Sequence, residues 1–499
     1  MSNSLIDDIH AALTAGAEGK ALDNIVYSRT TGNRVTVIDT PGLWGKSPGD
    51  NAYWQANGPS ANCKALLHEI ESVVASANQV LDITTLYDGG RHLGFPDGLF
   101  RDAIKRGLAA LDARRTFPLI RILIGMPASQ VVSVGDLHNW VRSVLPPGST
   151  RTVYIATNHT NLALSWNHAK IVAADGKAAI VGGHNLWNDT YMGFAPVHDV
   201  SAKVEGAAAR SAHQFCNILW SKTLNSIVCY DHTYRTASPG PVILPQPPAA
   251  GGTKALALGR LGSGMASHVT RHTNASVFAR VSAILRAQRT LRISQQGLGF
   301  KLAAANITSF EAATMAAIAR AINSGVHVDI VLTNDGATDA NGNSYAGPPM
   351  AMTFAYLAHF LEYDLAHGFP PSNDPSRYLT MPQTPLNGDP THPSLRSLRL
   401  LDERVRLCSL QFSPQGGSWQ SGNKSIVPAN HAKVYIVDDD NFYVGSDNMY
   451  RSGTDAGLQE FGYLFEGRAE TQAFVASYWD RLWQYSQLHR MRLPVPAPA

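Results

Sequence analysis

One short pattern occurs twice in this chain at the same internal spacing, and no other feature limits the fold as strongly. The first copy runs Asn167-His168-Ala169-Lys170, then Asp175, Gly182-Gly183 and Asn185. The second runs Asn430-His431-Ala432-Lys433, then Asp438, Gly445-Ser446 and Asn448. From His to the first Gly is 14 residues in both copies, and from His to the last Asn is 17 in both. A lone His-x-Lys carries no information. A matched set with one copy in each half of the chain predicts a duplicated unit.

The flanking patterns repeat in the same order. Lys64–Ser76 and Leu99–Arg114 read as helices, the second with Asp97 near its cap, and Gln79–Tyr87 and Leu119–Met126 read as strands. Ser276–Ala287, Thr290–Ser294, Ser309–Asn323 and Val326–Thr333 follow the same helix–strand alternation about 210 residues later. The third of these sits behind an expected capping box, Thr308 with Glu311, and Gly325 stops it. By the motifs the offset has grown to about 260, which predicts an insertion near residues 335–399 around an apolar helix at Pro349–Ala366. TASPGPVILPQPPAAGG, residues 236–252, lacks periodicity and reads as the core of a linker placed at 236–265. The expected division is an amino-terminal half, 1–235, and a carboxy-terminal half, 266–499. The expected fold is α/β: two sandwich halves, each a mixed sheet flanked by helices, related by a pseudo-twofold axis.

The spacing within each motif makes chemical sense. His and Lys two apart on a strand point to one face and reach one anion. HAKIVAA and AAIVGG flank Asp175-Gly176, a hairpin-turn dipeptide, and HAKVYIV and FYVGS flank Asp438–Asn441. Each hairpin returns its trailing Asn beside its His and Lys, while Gly182, Gly183 and Gly445 leave room for close approach. Asp175 and Asp438 are turn stabilisers in this reading, not catalytic acids. Two facing hairpins would surround one phosphate with two imidazoles, two ammonium groups and two amides. That set supplies a nucleophile, an acid and fixed positive charge for phosphoryl transfer with no metal or other cofactor.

Composition narrows the partners. Lys plus Arg is 41 against 38 for Asp plus Glu, a net charge of +3, well short of a dedicated nucleic-acid binder. With 44% hydrophobic and 16% charged residues, the chain is suited to sizeable cores. The start, MSNSLIDDIHAAL, does not resemble a secretory signal, and no apolar run is long enough to span a membrane, so a soluble protein is expected. The compartment is not legible. Of four cysteines, Cys216 and Cys229 are the pair for a bridge in an oxidising compartment, against reduced, buried thiols otherwise.

These motif residues resemble the phospholipase D superfamily, whose HxKxxxxD pattern followed by GG or GS and Asn is present here twice. WNHAKIVAADGKAAIVGGHNLWNDTY and DDDNFYVGSDNMY with LQEFGYLFE are most like the compact bacterial enzymes of the actinomycete kind. The resemblance implies that His168 is the nucleophile and His431 the general acid. It also implies that an acidic residue beyond each motif holds the distal nitrogen of an imidazole. The candidates are Asp199, 31 residues after His168, and Glu460, 29 after His431, where relatives usually have Asp. It further implies a phospholipid substrate met at a membrane or micelle surface, transfer to alcohols as well as hydrolysis, and a monomer without a stable nucleic-acid partner. Asn185, Asn448, Gly183 and Ser446 are expected at the substrate phosphate, and Trp187 and Tyr191, with Met192 and Phe194 near them, are read either as an apolar rim or as core.

Other signals carry less. Asp39-Thr40-Pro41-Gly42 lacks the Gly-rich loop of a nucleotide hydrolase, and His268 with His272 lacks a third metal ligand. The rival readings are a nuclease of the same superfamily, a phosphatidyl-transferring lipid synthase, and a catalytically dead phosphate or lipid binder. Intact His, Lys and Asn in both motifs argue against the last.

Overall fold

The computed structural model describes residues 4–49, 58–87, 95–126, 132–161, 165–266, 268–302, 307–381, 394–421, 423–450 and 457–491. In the first half, strands Val80–Leu86, Leu119–Gly125 and Val153–Asn161 run parallel. Ile171–Ala174, Ala178–Gly182 and Asp199–Glu205 continue the sheet antiparallel from Val80–Leu86. The second half repeats that order. Thr290–Gln295, His327–Leu332 and Val405–Ser409 are parallel, and Lys433–Val437, Asn441–Gly445 and Gln459–Glu466 follow antiparallel. Apolar runs such as Ile120, Ile122 and Ile124, all buried, suit strands covered by helices on both faces.

A single strand joins the two arrays. Residues Arg34–Thr40 of Tyr27–Thr40 pair with Asp199–Glu205, whereas Tyr27–Asn33 pair with Thr253–Leu261. The register shifts between Thr30 and Asn33, where Gly32 takes φ +79°, so the strand leaves one array and enters the other. Thr253–Leu261 pairs in turn with Gln459–Glu466, so that the described residues form one sheet of 17 strands. The carboxy-terminal part of the segment expected as linker is therefore a buried strand, and only its Pro-rich part is irregular. Its alternation was masked because ALALG is apolar on both faces.

Helices Ala61–Ser76, Gly98–Ala113 and Val134–Val144 cover one face of the first half over a core of Leu67, Ile70, Phe100, Ile104 and Leu137. Ala208–Trp220, Ala275–Arg286 and Ala312–Asn323 share a second core that runs from Ala169 and Ile171 through Leu256 to Val434 and Phe461. The halves are thus packed as one body. Between His327–Leu332 and Val405–Ser409 lie helices Met350–His367 and Leu395–Arg404, in the stretch where the sequence offset grows. No helix among the described residues is long and apolar enough to cross a membrane. All four cysteines, Cys216 and Cys229 included, are free and buried.

One local expectation is overturned. Thr308 and Glu311 form no capping box: Ile307–Phe310 is a strand paired with Gly299–Leu302, and the helix begins at Ala312. Glu311 instead turns its carboxylate to Arg280, which is 2% exposed and needs a counter-ion more than the helix needs a cap.

Candidate active site

Each motif is built on a turn held from below. Asp175 and Gly176 have φ +54° and +64°, and Asp438 and Asp439 have φ +55° and +60°, the left-handed pair that a tight hairpin demands. The Asp175 carboxylate accepts the backbone amides of Asn78, Gln79 and Val80 at 2.7–3.1 Å. Asp438 accepts those of Gln288, Arg289 and Thr290 at 2.7–2.9 Å. Both Asp residues therefore tie the hairpin to the start of a neighbouring strand, far from the histidines.

The histidines are not on the strands expected for them. The strand begins at Ile171 in one copy and at Lys433 in the other, so His168, Lys170 and His431 sit on extended chain just ahead. Asn167 and Asn430 shape that stretch, each side chain accepting the amide two residues on, from Ala169 or Ala432, at 3.1 Å. The backbone partners of this stretch lie in the other half. His168 N–H donates to Gln459 O at 2.8 Å, and His431 N–H donates to His198 O at 2.7 Å.

Those two bonds cross the chain halves, and so do the side chains. His168 Nδ1 meets Glu460 Oε1 at 2.8 Å, and His431 Nδ1 meets Asp199 Oδ2 at 2.7 Å. Each carboxylate follows directly on the residue whose carbonyl anchors the opposite histidine. The acid beyond the first motif thus serves the second motif's histidine, and the reverse. With Nδ1 engaged by a carboxylate, Nε2 is the nitrogen left for chemistry in both rings.

The dyads differ in their second donor. Ser446 Oγ–H donates to Glu460 Oε2 at 2.6 Å, while Tyr191 O–H donates to Asp199 Oδ2 at 2.9 Å and lies 3.2 Å from His431 Nδ1. Gly183, which occupies the place of Ser446, leaves no room for a side chain, since a Cβ there would meet Asp199 Oδ1 at 1.9 Å. Ser446 and Gly183, expected at the substrate, therefore bear on the carboxylates. Tyr191 is fully buried rather than on a rim, and Met192 is buried with it. Trp187 is part-buried and donates its Nε1–H to Leu86 O at 3.0 Å.

Both lysines are buried between the dyads, Lys170 donating to His168 O at 2.6 Å and Lys433 to His431 O. Burial pushes Lys170 down to about 7, with Lys433 adding to the fall and Glu460 opposing it. Burial likewise brings Lys433 down to about 8. Burial first, and then the lysines, hold His431 well below the usual imidazole value, and burial lowers His168 as well. The side-chain oxygens of Asn185 and Asn448 are buried without a hydrogen-bond partner among the described residues, one in each copy. Two imidazoles and two lysines thus converge in one buried region.

Several contributors were not read from the sequence. Tyr345 packs edge-on against the His431 ring at 5.1 Å. His184 and His198, both held neutral by burial at about 4, bond Thr40, one through Oγ1 and the other through the carbonyl. Asp447 is gripped by Arg260 and Arg280 directly beside Asn448. None carries a spacing signal, because each partner comes from a distant segment.

The fold and site define a two-lobed α/β protein whose two motif copies meet in one composite centre. Along 97% of its length the chain is 28% identical to a phospholipase D of Streptomyces antibioticus, covering 87% of that protein. Among solved structures it is similar to the phosphatidylserine synthase of Haemophilus influenzae Rd KW20 (TM-score 0.49, 14% identity, 85% of each chain). It is also similar to Nuc, a phospholipase D family member from Salmonella typhimurium (TM-score 0.26, 13% identity, 38% of this chain and 97% of that one). No family model matches. The likeness to a phospholipase D thus extends over nearly the whole chain.

Proposed function

We propose that this chain is a phospholipase D that cleaves glycerophospholipids in two displacements through a phosphohistidine, without a metal. The crossed His–carboxylate dyads carry the reading, because they supply two tautomer-fixed imidazoles to a single centre. In the first step His168 Nε2 attacks phosphorus and the P–O bond to the head-group alcohol breaks. Protonated His431 gives that oxygen its proton. Glu460 stabilises the positive charge that His168 gains, and Asp199 keeps the His431 proton on the ring until it is needed. Lys170 and Lys433 offset the charge on the non-bridging oxygens, and Asn185 and Asn448 orient them. In the second step His431 takes a proton from water or an alcohol, whose oxygen displaces His168 from phosphorus. Phosphatidic acid or a phosphatidyl-alcohol leaves.

The bound diester also explains how a ring with a depressed value can act as an acid. Its negative charge opposes the lysines that hold the imidazoles neutral, so substrate itself raises the affinity of His431 for a proton. The choice of His168 as nucleophile follows the family resemblance. Phospholipid in place of nucleic acid is supported by the relative's name and by the low net charge. Incubation with mixed phospholipids and, separately, with DNA, in excess chelator and with a primary alcohol present, tests the whole reading by mass spectrometry. Phosphatidyl-alcohol formed at the expense of phosphatidic acid is expected. DNA cleavage without lipid products, or activity restored only by added metal, would overturn it.

A further inference from the structure

A cavity of about 160 Å³ lies on the first half, lined by none of the motif residues. Its walls come from the start of the shared strand, the first turns of helix Ala208–Trp220 and the Pro-rich segment, with Ser28, Arg29, Arg210, Ser211, Gln214 and Gln246 among its lining. No Asp or Glu lines it. Arg29 is already paired with Asp7. Arg210 is not: its Nε is buried without a hydrogen-bond partner, and no ion pair engages it among the described residues. Ser211, only 4% exposed, also makes no side-chain hydrogen bond among the described residues. The amides of Ala208, Ala209 and Arg210 are already bonded to Asn33 Oδ1, Gly206 O and Ala207 O, so the side chains are the free donors.

We infer that this cavity is a second anion site, taking a phosphate or phosphomonoester group on Arg210, Ser211 and Gln214. A buried, unpaired guanidinium N–H is costly, and an anion oxygen removes that cost while a neutral ligand would not. At ~30 Å³ per water, the volume admits roughly five waters, enough for a tetrahedral oxyanion and too little for a lipid body. A lipid could enter only by its head, with the chains outside. The lining carries two guanidinium groups and no carboxylate, which favours an anion over a cation. The site also touches the motif hairpin from behind, because a Cβ on Gly176 would lie 3.2 Å from Arg210 Cα. Gly176 is at the turn and His168 eight residues back along the hairpin, at most about 26 Å at ~3.3 Å per residue. The inference does not depend on the roles given to the two histidines.

Calorimetric titration of the full chain with inorganic phosphate tests it. The wild-type protein is expected to show two sites, one at the active centre and one here. Arg210→Gln, and separately Gln214→Glu, which adds a carboxylate at a part-exposed position, are expected to weaken the second site by at least ~10-fold. Turnover of a nitrophenyl phosphodiester should stay unchanged in both variants, which shows them folded. Tungstate soaked into crystals should give a peak between Arg210 and Gln214. Flotation with phosphatidylcholine vesicles, with and without phosphatidic acid, separates the two sources of the ligand. A gain with phosphatidic acid that Arg210→Gln abolishes assigns a lipid head group, and phosphate binding with no such gain assigns the free ion. A single site in the wild-type titration, or a second site of unchanged affinity in both variants, overturns the inference.

Discussion

At the scale of residues the site is a pair of charges held apart by burial and linked by crossing. Glu460 belongs by sequence to the second motif and by contact to His168. Replacing it by Gln removes the charge that stabilises a His168 cation, so phosphohistidine formation should slow by ~10²–10⁴-fold. In a His431→Ala background Asp199→Asn should add little, while Glu460→Gln should add its full loss, read as turnover of a nitrophenyl diester that needs no acid. The opposite pattern would mean that each carboxylate serves its own motif. The lysines give a second test. A lysine at about 7 or 8 is charged below that pH and neutral above it, so the pair loses charge as pH rises through 7 and 8. Sulfate keeps its charge across this range. Its inhibition constant should therefore rise by roughly tenfold or more between about pH 6.5 and 8.5, as each lost interaction of ~1.4 kcal/mol is a factor of ten. A flat profile would show that the lysines stay protonated.

At the scale of elements, each motif hairpin is a lever fixed at the turn and used at the other end. Asp175 fixes it by taking three backbone amides, of which that of Val80 is buried and those of Asn78 and Gln79 are part-buried. Asp175→Ala leaves the buried one unpaired, a cost of about 1–3 kcal/mol. Urea unfolding should show that loss, while turnover by the folded protein stays within a few-fold of wild type. A large fall in turnover with unchanged stability would place Asp175 in the chemistry. The corresponding substitution of Asp438, whose bonds are more exposed, should cost less. The Asp-Gly and Asp-Asp turns were legible in sequence because left-handed φ has few compatible residues. The false capping box shows the limit of such local reading, for Glu311 had a stronger claim on it from a buried arginine 31 positions away.

At the scale of the whole molecule, strand Tyr27–Thr40 runs through both arrays and a single core spans the interface. Neither half closes its sheet alone. Unfolding should therefore be one cooperative transition, with tryptophan fluorescence and far-ultraviolet circular dichroism coincident in denaturant. Two separated transitions would show that the halves fold as independent domains. The same continuity explains how a centre contributed by residues more than 260 positions apart is held to hydrogen-bond tolerance. His168 N–H and His431 N–H are bonded across the junction, so the halves cannot slide without breaking both dyads.

The sequence by itself determined the duplication, the alternating α/β order and the motif residues, because these are written in local spacing and in turn chemistry that few residues satisfy. It also marked Asp199 and Glu460 as candidates, through resemblance alone. It left open which histidine each would hold, since that choice depends on strand Gln459–Glu466 and strand Asp199–Glu205 approaching the opposite motif, and pairing between distant segments leaves no periodic trace. Only the tertiary structure placed Tyr191 on Asp199 and Tyr345 on His431, and it alone made Thr253–Leu261 a strand. Only burial between the two halves brought the lysines near neutrality, because desolvation is a property of the assembled interior and not of any stretch of chain.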